Sequence, residues 1–242
     1  MDWFGDSIRL WNSAYNCTLN DPMEYLAKDG LKRISARIKY EMNRRILKRL
    51  LGRADLPVGP IATERTAEIP LAVHFLERCI KDEPVLELGC VLPYYISIPK
   101  NHVVYDLLDR HPANTPKDLR DLTDEDYQTN ILSVSTIEHI NMDDLGIKQN
   151  AITAMDVLSR IRTNAKKYFV TFPLGYNAKL DQYVFASIPE EMFVTRREDD
   201  QNDWKIIGKT DLSDAQKKYG GYCGANTFCV ISNGYGPLGA TK

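Results

Sequence analysis

The chain has 242 residues, a formal net charge of −2 and 26% charged residues. This length allows one α/β domain with a sizeable core and some additional helix. The near-neutral charge excludes the strongly basic signature of many nucleic-acid-binding proteins. No stretch is long and apolar enough to span a bilayer and no signal peptide opens the chain, so we expect a cytoplasmic protein. The five scattered cysteines fit reduced thiols; they are Cys17, Cys79, Cys90, Cys223 and Cys229.

Residues 1–60 are predicted to form an N-terminal helical extension. Within residues 31–51 an apolar residue recurs every fourth position, which is typical of an amphipathic helix. Between Leu31 and Arg53 there are nine basic residues and one acidic residue. One interpretation is a solvated basic face on a helix that packs against the domain. The other is an arm that makes peripheral contact with an anionic membrane surface, an anionic substrate or another partner.

Residues 61–242 are predicted to form the second domain, in which strands and helices alternate. The first predicted elements are a helix over 63–80 with Thr63 as its cap, a strand that begins at 85, a strand over 102–109, and a short third strand or turn before the polar loop over 118–126. They are followed by a strand over 130–140 that runs into a loop, a helix over about 147–162, and a strand over 167–177 that is broken by Pro173 and Gly175. Late strands are predicted over 192–198, 203–208 and 226–233. This alternation indicates an α/β fold with a doubly wound, mostly parallel sheet and helices on both faces. The late strands are expected to add an antiparallel end.

Acidic residues lie near the ends of three successive predicted strands. They are Glu87, Asp109, and Asp118 or Asp121. In a doubly wound sheet such strand ends line one crevice. Carboxylates there can accept hydrogen bonds from ribose hydroxyls or from an adenine amino group. Because the first turn is acidic and has a single glycine, a pyrophosphate cofactor is disfavoured, and an adenosyl ligand without phosphates fits better.

These segments resemble the class I S-adenosylmethionine-dependent methyltransferases over about residues 62–233. VLELGC (85–90) resembles the first strand and cofactor loop of that family, DLRDL (118–122) its third loop, and STIEHI (135–140) the segment after its fourth strand. The resemblance implies a Rossmann-like fold and S-adenosyl-L-methionine as cofactor. The residues it implies for cofactor binding are Glu87, Gly89, Cys90, Asp109, Asp118, Leu119 and Ser135.

Further segments resemble a subgroup of that family that is associated with glycan modification. They are TERTAEIP (63–70), FPLGYN (172–177) and the GAN turn (224–226). The chain also departs from the family pattern, because Val91 and Pro93 stand where the family usually has a second and a third glycine. Side chains at these positions would narrow the space for the methionine part of the cofactor. A non-catalytic relative is therefore the alternative to an enzyme.

The candidate catalytic residues are His139 and Glu138. An alcohol acceptor must lose a proton during methyl transfer, and an imidazole group is suited to take it. His139 is predicted to be the base because it lies in the loop after the fourth strand, beside the methyl group that the resemblance implies. Glu138 is expected to orient His139 or to act in its place. The alternative is that both residues only hold the loop. His102, which opens a strand, is expected at the surface.

Candidate substrate-binding residues come from three segments. Tyr94 and Tyr95 follow the cofactor loop and are expected to cover the methionine part or to stack on a sugar. Tyr176 and Asn177 follow the fifth strand and are expected to form a wall of the acceptor site. Arg65 is expected to face the same cleft, if the helix that carries it crosses the cleft as the resemblance implies.

Asp143 and Asp144, which follow the candidate base, could coordinate a divalent cation, but the sequence alone does not predict a metal site. Two adjacent aspartates more often cap a helix than bind a cation. The chain also has no CxxC pair or cluster of histidine and cysteine that would indicate zinc.

The predicted activity is methyl transfer to a hydroxyl group, with a sugar or glycan as the first candidate acceptor. The chain lacks an NPPY-type tetrad and has no Pro-Cys dipeptide at a strand end, which argues against methylation of DNA bases. No basic groove with interleaved aromatic residues is visible, so no nucleic-acid partner is expected. The alternatives are a methyltransferase of another small metabolite or lipid head group, and a non-catalytic methyltransferase-like binding protein.

Overall fold

The computed structural model describes residues 64–142, 150–188, 190–197, 204–208, 213 and 225–234. Its strands are β1 (Val85–Leu88), β2 (His102–Tyr105), β3 (Asn114–Thr115), β4 (Asn130–Val134), β5 (Tyr168–Pro173), β6 (Met192–Arg197), β7 (Trp204–Gly208) and β8 (Thr227–Ser232). The α-helices in this part of the chain are α1 (Arg65–Phe75), α2 (Ala154–Asn164) and α3 (Ala178–Ser187). The strands form one sheet in the order β3-β2-β1-β4-β5-β8-β6-β7.

The sheet is mostly parallel and has an antiparallel end. β1 pairs in parallel with β2 and with β4, β2 pairs in parallel with β3, and β4 pairs in parallel with β5. β8 runs antiparallel to both β5 and β6, and β7 runs antiparallel to β6. The predicted α/β class with a Rossmann-like, doubly wound sheet is therefore confirmed. From β1 the chain adds β2 and β3 on one side and then β4 and β5 on the other, so the order of strands reverses between β1 and β4. In open α/β sheets this is where ligands bind.

The central strands are buried on both faces, because helices cover the sheet from both sides. Leu86, Ile131 and Val170 pack in one core with residues of α2 and α3. Their neighbours in the strands, such as Leu132 and Phe169, point to the opposite face and pack in a second core with α1. Alternate residues of one strand thus enter different cores, as the two-residue period of a strand requires.

The first helix differs from its predicted span. α1 ends at Phe75 and continues as a π-helical turn over Leu76–Ile80. Glu64 precedes the helix without a side-chain cap, and the predicted cap, Thr63, lies outside the described residues. Most of α1 is buried, including the polar residues Thr66 and Glu68. A helix buried on nearly all sides has neighbours on each face, which places α1 inside the fold and next to the strand ends.

Several other element boundaries differ from the prediction. β2 ends at Tyr105, so the predicted strand over 102–109 is wrong at its end: Asp106 Oδ1 accepts hydrogen bonds from the backbone N–H groups of Leu108 and Asp109 and turns the chain. α2 begins at Ala154 because Thr153 and Asp156 form a capping box. β5 ends at Pro173, the first of the two residues at which a break was predicted within 167–177.

Helix α3 was not predicted from the sequence. Asn177 caps it by accepting a hydrogen bond from the backbone N–H of Leu180. The late strands β6, β7 and β8 lie close to their predicted positions, and their antiparallel pairing confirms the predicted end of the sheet.

Some predictions fall outside the described residues. These are the N-terminal extension over 1–60 with its basic helix over 31–51, and the pair Asp143 and Asp144. Within the described ranges, no helix combines the length and the apolar character needed to cross a membrane.

Candidate functional site

A cavity of about 240 Å³ lies at the carboxyl ends of β1, β2 and β4. This is the crevice at which the sheet changes direction. Six of the residues predicted for the site line it, namely Arg65, Cys90, Asp118, Leu119, Ser135 and His139. The other predicted residues do not belong to its lining; they are Glu87, Gly89, Asp109, Tyr94, Tyr95, Tyr176, Asn177 and Glu138.

The loop after β1 begins with a glycine that cannot be replaced without strain. Gly89 has a φ of +89°, a conformation that side chains with a Cβ rarely adopt. A Cβ at this position would lie 2.0 Å from Oγ1 of Thr136. Gly89 therefore allows the loop after β1 to approach the loop after β4 closely. Its N–H donates to the carbonyl of Tyr105 and ties the same loop to β2.

The buried carboxylate of Glu87 fixes the loop after β1 by hydrogen bonds. The residue is fully buried, and Oε1 accepts hydrogen bonds from the backbone N–H groups of Val91 at 2.9 Å and Leu92 at 2.7 Å. Oε2 lies 2.8 Å from Nε2 of His102. His102 is only 7% exposed, so its predicted surface position is wrong. A buried carboxyl group needs polar partners, and His102 on the neighbouring strand supplies one of them.

The acid that reaches the cavity from the loop after β2 is Asp106. It lines the cavity and accepts a hydrogen bond of 3.3 Å from the backbone N–H of Cys90. The predicted acid, Asp109, lies three residues further on, and each of its carboxyl oxygens lies 3.0 Å from the hydroxyl of Tyr94. Sequence reasoning missed Asp106 because the strand was drawn too long. The available signal was that Asp106 follows directly after the apolar run of β2.

The other predicted residues of these two loops, Cys90, Tyr94 and Tyr95, contact neighbouring side chains of the protein. Burial raises the pKa of the Cys90 thiol, and the nearby Asp109 adds to this shift. The Tyr94 ring lies 4.9 Å from the His111 ring, edge to face. Tyr95 is half-buried and packs against the core that contains α1. Neither residue of the aromatic pair that was predicted to cover the methionine part or to stack on a sugar lines the cavity.

The loop after β3 contributes a balanced pair of charges. Nη2 of Arg120 lies 2.6 Å from Oδ2 of Asp118, and both residues line the cavity. Hydrogen bonds from Arg120 lower the pKa of Asp118. Arg120 also donates to Oδ1 of Asn141 at 3.1 Å, which connects this loop to the loop after β4. Because the guanidinium is paired with a carboxylate, it adds little net positive charge for binding a phosphate.

Helix α1 supports the loop after β4. Nη1 of Arg65 donates to the carbonyl of Val134 at 2.8 Å, and Nη2 donates to the carbonyl of Ser135 at 3.3 Å. The Ser135 hydroxyl donates to Oε1 of Glu68 at 2.7 Å, and Ser135 itself has a φ of 40°. Glu68 is fully buried, and burial raises its pKa to about 6. A charged pair from α1 thus holds a left-handed residue at the cavity wall.

The candidate base, His139, lies in the loop after β4 and is partly exposed. The His139 side chain is 33% exposed and lines the cavity. Its Nδ1 lies 3.1 Å from the hydroxyl of Tyr176, and its Nε2 lies 3.7 Å from Oε1 of Glu138. The second distance is too long for a hydrogen bond. The structure therefore brings His139, which lines the cavity, together with Glu138 and Tyr176, which do not line it.

Glu138 is almost completely buried. It is 1% exposed, and its Oε2 has no hydrogen-bond partner. Burial raises the pKa of Glu138 well above its usual range, and the nearby Glu68 adds to the shift. The side-chain amide of Asn177 donates to the Glu138 carbonyl at 3.0 Å, so the cap of α3 also fixes this turn. The environment favours the neutral form of the Glu138 carboxyl group.

The lining suits an adenosyl group in its chemistry. Asp106 and Asp118 supply carboxylate acceptors, Ser135 and Thr136 supply hydroxyls, and Leu119 supplies an apolar wall. Asp106 accepts three backbone hydrogen bonds, which leaves capacity at its two oxygens for one more. Among the described residues, no group of three or more His, Cys, Asp or Glu side chains is arranged to hold a metal ion.

No protein-family model and no curated protein matches this chain. A chain in a solved structure of the Pnkp1/Rnl/Hen1 RNA repair complex is similar to it, with 14% sequence identity and a TM-score of 0.37. The similarity covers 83% of this chain and 47% of the other, so the present chain spans about half the length of that neighbour. A similarity of this size carries no conclusion about function.

Proposed function

We propose that the chain is an S-adenosylmethionine-dependent O-methyltransferase that acts on a hydroxyl group, with a sugar or glycan as the first candidate acceptor. The observation that carries this proposal is the cavity at the point where the sheet changes direction. Its wall combines Asp106 and Asp118 with a candidate base, His139. Together with the sequence resemblance, these features support an adenosyl cofactor at one end of the cavity and proton transfer at the other.

Four residues are assigned to the cofactor. Asp106 would accept one hydrogen bond from a ribose hydroxyl, because it follows β2 and has acceptor capacity for one more donor. Asp118 and Leu119 would contact the adenine, because they follow β3 at the cavity wall. Cys90 would contribute backbone contacts beside them. When bound, the cofactor supplies an electrophilic methyl group. The contribution of the protein is alignment of the reacting atoms, which can lower the barrier by roughly 7–11 kcal/mol at best.

His139 is assigned as the base in preference to Glu138. Burial favours the neutral form of the Glu138 carboxyl, which is a poor proton acceptor, whereas His139 is partly exposed at the cavity. In the proposed step the acceptor oxygen forms a bond to the methyl carbon and its proton moves to the His139 imidazole. The bond between carbon and sulfur breaks, and its electron pair stays on sulfur. Tyr176, which is 40% exposed beside His139, offers an aromatic surface on which a sugar ring can stack.

The first experiment is calorimetric titration of the purified protein with S-adenosylmethionine and S-adenosylhomocysteine. We expect binding of both, and Asp106→Asn should weaken it about tenfold, which corresponds to roughly 1.4 kcal/mol. Asp109→Asn is the matched control, because Asp109 is not part of the cavity lining. A larger loss in Asp109→Asn than in Asp106→Asn would contradict the assignment of the two acids. His139→Ala should retain cofactor affinity and lose methyl transfer.

Acceptor classes are distinguished by offering a radiolabelled methyl donor to sugars, small metabolites and lipid head groups in parallel. Label in the sugars would support the proposed acceptor. Label only in another metabolite or in a lipid head group would support the alternative enzyme.

A second candidate function is a non-catalytic, methyltransferase-like binding protein. The observation that favours it is that Val91 lines the cavity at a position where the resembling family usually has glycine. Its side chain reduces the room for the methionine part of the cofactor. Failure of a folded sample to bind either ligand, together with gain of binding in Val91→Gly, would support this second function.

A further inference from the structure

We propose that Tyr176 positions His139 for proton transfer: its hydroxyl oxygen accepts a hydrogen bond from Nδ1–H of His139 and so leaves the proton-accepting lone pair on Nε2. This role rests on the proposed function, because it specifies how His139 would act as the base. It differs from the role predicted from the sequence, in which Tyr176 forms a wall of the acceptor site.

The two side chains meet in a defined geometry. The Tyr176 hydroxyl lies 3.1 Å from Nδ1, and the two ring centroids lie 4.8 Å apart with an angle of 64° between the ring planes. This is an edge-to-face contact, which restrains the imidazole ring as well as one of its nitrogens. The hydroxyl and the ring of Tyr176 thus both act on His139.

The backbone on both sides of Tyr176 is anchored. The N–H of Gly175 donates to Oδ2 of Asp181 at 2.8 Å. The side-chain amide of Asn177 donates to the Glu138 carbonyl at 3.0 Å, so it connects the loop after β5 to the turn that carries His139. Because its neighbours are held on both sides, Tyr176 is presented to His139 from a fixed support, as a positioning residue requires.

The surroundings of the two nitrogens favour a proton on Nδ1. The hydrogen bond made by one ring nitrogen sets which nitrogen carries the proton. Nε2 lies 3.7 Å from Glu138, whose neutral form is favoured by burial and therefore lacks the charge that would hold a proton on Nε2. The Tyr176 hydroxyl can act as an acceptor, and since this side chain is 40% exposed its own hydrogen can point toward solvent.

In the proposed arrangement the proton of the acceptor has a path to His139 and then to water. The proton of the acceptor hydroxyl moves to Nε2, and the oxygen lone pair forms the new bond to carbon. The resulting imidazolium keeps its hydrogen bond from Nδ1–H to Tyr176. Because the His139 side chain is 33% exposed, the proton can then pass from Nε2 to water and restore the neutral ring.

The chain contains internal references for the tautomer of His139. Nδ1 of His111 accepts a hydrogen bond of 3.1 Å from the backbone N–H of Ala113, so neutral His111 must carry its proton on Nε2. Nε2 of His102 lies 2.8 Å from Glu87, which places the proton of His102 on Nε2 as well. We therefore expect His139 to show the opposite tautomer from His102 and His111.

The test is long-range proton–nitrogen correlation spectroscopy of the full chain with labelled histidine, at a pH at which the imidazole rings are neutral and without ligand. His139 is assigned by the loss of its signals in His139→Gln. In the wild-type protein His139 should carry its proton mainly on Nδ1. In Tyr176→Phe, which keeps the ring and removes the hydroxyl, the population should shift to Nε2–H. Tyr183→Phe, in the adjacent helix α3, is the matched control and should leave all tautomers unchanged.

Two results would overturn this role of Tyr176: a wild-type His139 that carries its proton on Nε2, or a tautomer that does not change in Tyr176→Phe. Because the spectra need neither cofactor nor acceptor, they can be read even if no methyl transfer is detected. Absence of methyl transfer with the expected tautomer would count against the proposed function alone. With an active enzyme, Tyr176→Phe should lower kcat about tenfold or more and leave cofactor affinity unchanged.

Discussion

The loops after β1 and β4 form walls of the same cavity, but they are held in different ways. The loop after β1 is held by Glu87, which accepts hydrogen bonds from residues four and five positions later. The loop after β4 is held by Arg65 and Glu68 of α1, which lie 67 to 70 positions away from the groups they bind. The first wall is therefore held by contacts with residues 4 to 16 positions away, whereas the second depends on the docking of a distant helix.

The two walls also carry different parts of the candidate site. The first wall carries the predicted cofactor loop, and the wall held by α1 carries Glu138 and His139. Glu68 and Glu138 are both buried, and burial raises the pKa of each. The wall that carries His139 thus contains two buried carboxyl groups with raised pKa values, Glu68 and Glu138. Three variants test how each wall depends on the residues that hold it.

The largest expected effect comes from Gly89→Ala, which would force the two walls apart. A Cβ at Gly89 would lie 2.0 Å from Thr136 Oγ1, and the φ of +89° adds strain. We expect the free energy of unfolding to fall by about 2–5 kcal/mol, from roughly 1–2 kcal/mol of backbone strain and roughly 1–3 kcal/mol of overpacking. Urea denaturation of the two proteins measures the difference.

Gly175→Ala is the matched control for this collision. Gly175 has almost the same φ, +88°, but nothing lies within 4 Å of its Cβ position. It should lose only the strain, about 1–2 kcal/mol. Equal losses in the two variants would show that contact between the walls does not matter for stability.

Glu87→Gln should have the second largest effect, because it weakens the local support of the first wall. The amide keeps the shape of the side chain but loses the charge that strengthens the hydrogen bonds to Val91 and Leu92, and its NH2 group would face the Nε2–H donor of His102. We expect a loss of about 2 kcal/mol in the free energy of unfolding. Glu83→Gln, at an exposed position before β1, is the control and should change stability little. A Glu87→Gln protein as stable as the wild type would show that Val91 and Leu92 do not need a charged acceptor.

The last expected effect, of about the same size as that of Glu87→Gln, is a pH dependence that arises from Glu68. Burial raises the pKa of this group from 4.5 to about 6, so the folded protein binds its proton more tightly than the unfolded chain does. Its contribution to stability is present below pH 4.5 and is lost as the pH rises through 6. Relative to Glu68→Gln, the free energy of unfolding of the wild-type protein should fall by roughly 2 kcal/mol as the pH rises from below 4.5 to neutral.

Denaturation of both proteins at several pH values checks this dependence on Glu68. Glu77→Gln, at an exposed position in the same helical region, should follow the wild-type curve. A difference between wild type and Glu68→Gln that stays constant with pH would mean that Glu68 does not titrate in this range.

Much of the fold could be predicted because its signals are local. The apolar runs of β1 and β4, the capping residues before α2 and the alternation of strands and helices are all properties of short segments. The acids near the strand ends also indicated where a cavity forms, because parallel strands end at the same edge of a sheet. These features follow from periodicity and turn chemistry, which act over a few residues.

The sequence by itself determined the α/β class, the location of the cavity and several of its lining residues, including His139. Only the tertiary structure decided that Asp106 reaches the cavity in place of Asp109, that His102 is buried beside Glu87, and that Tyr176 meets His139. The reason is physical: each of these pairings joins separate loops or strands, and the contact partner of a polar side chain depends on how those segments pack, which no local pattern records.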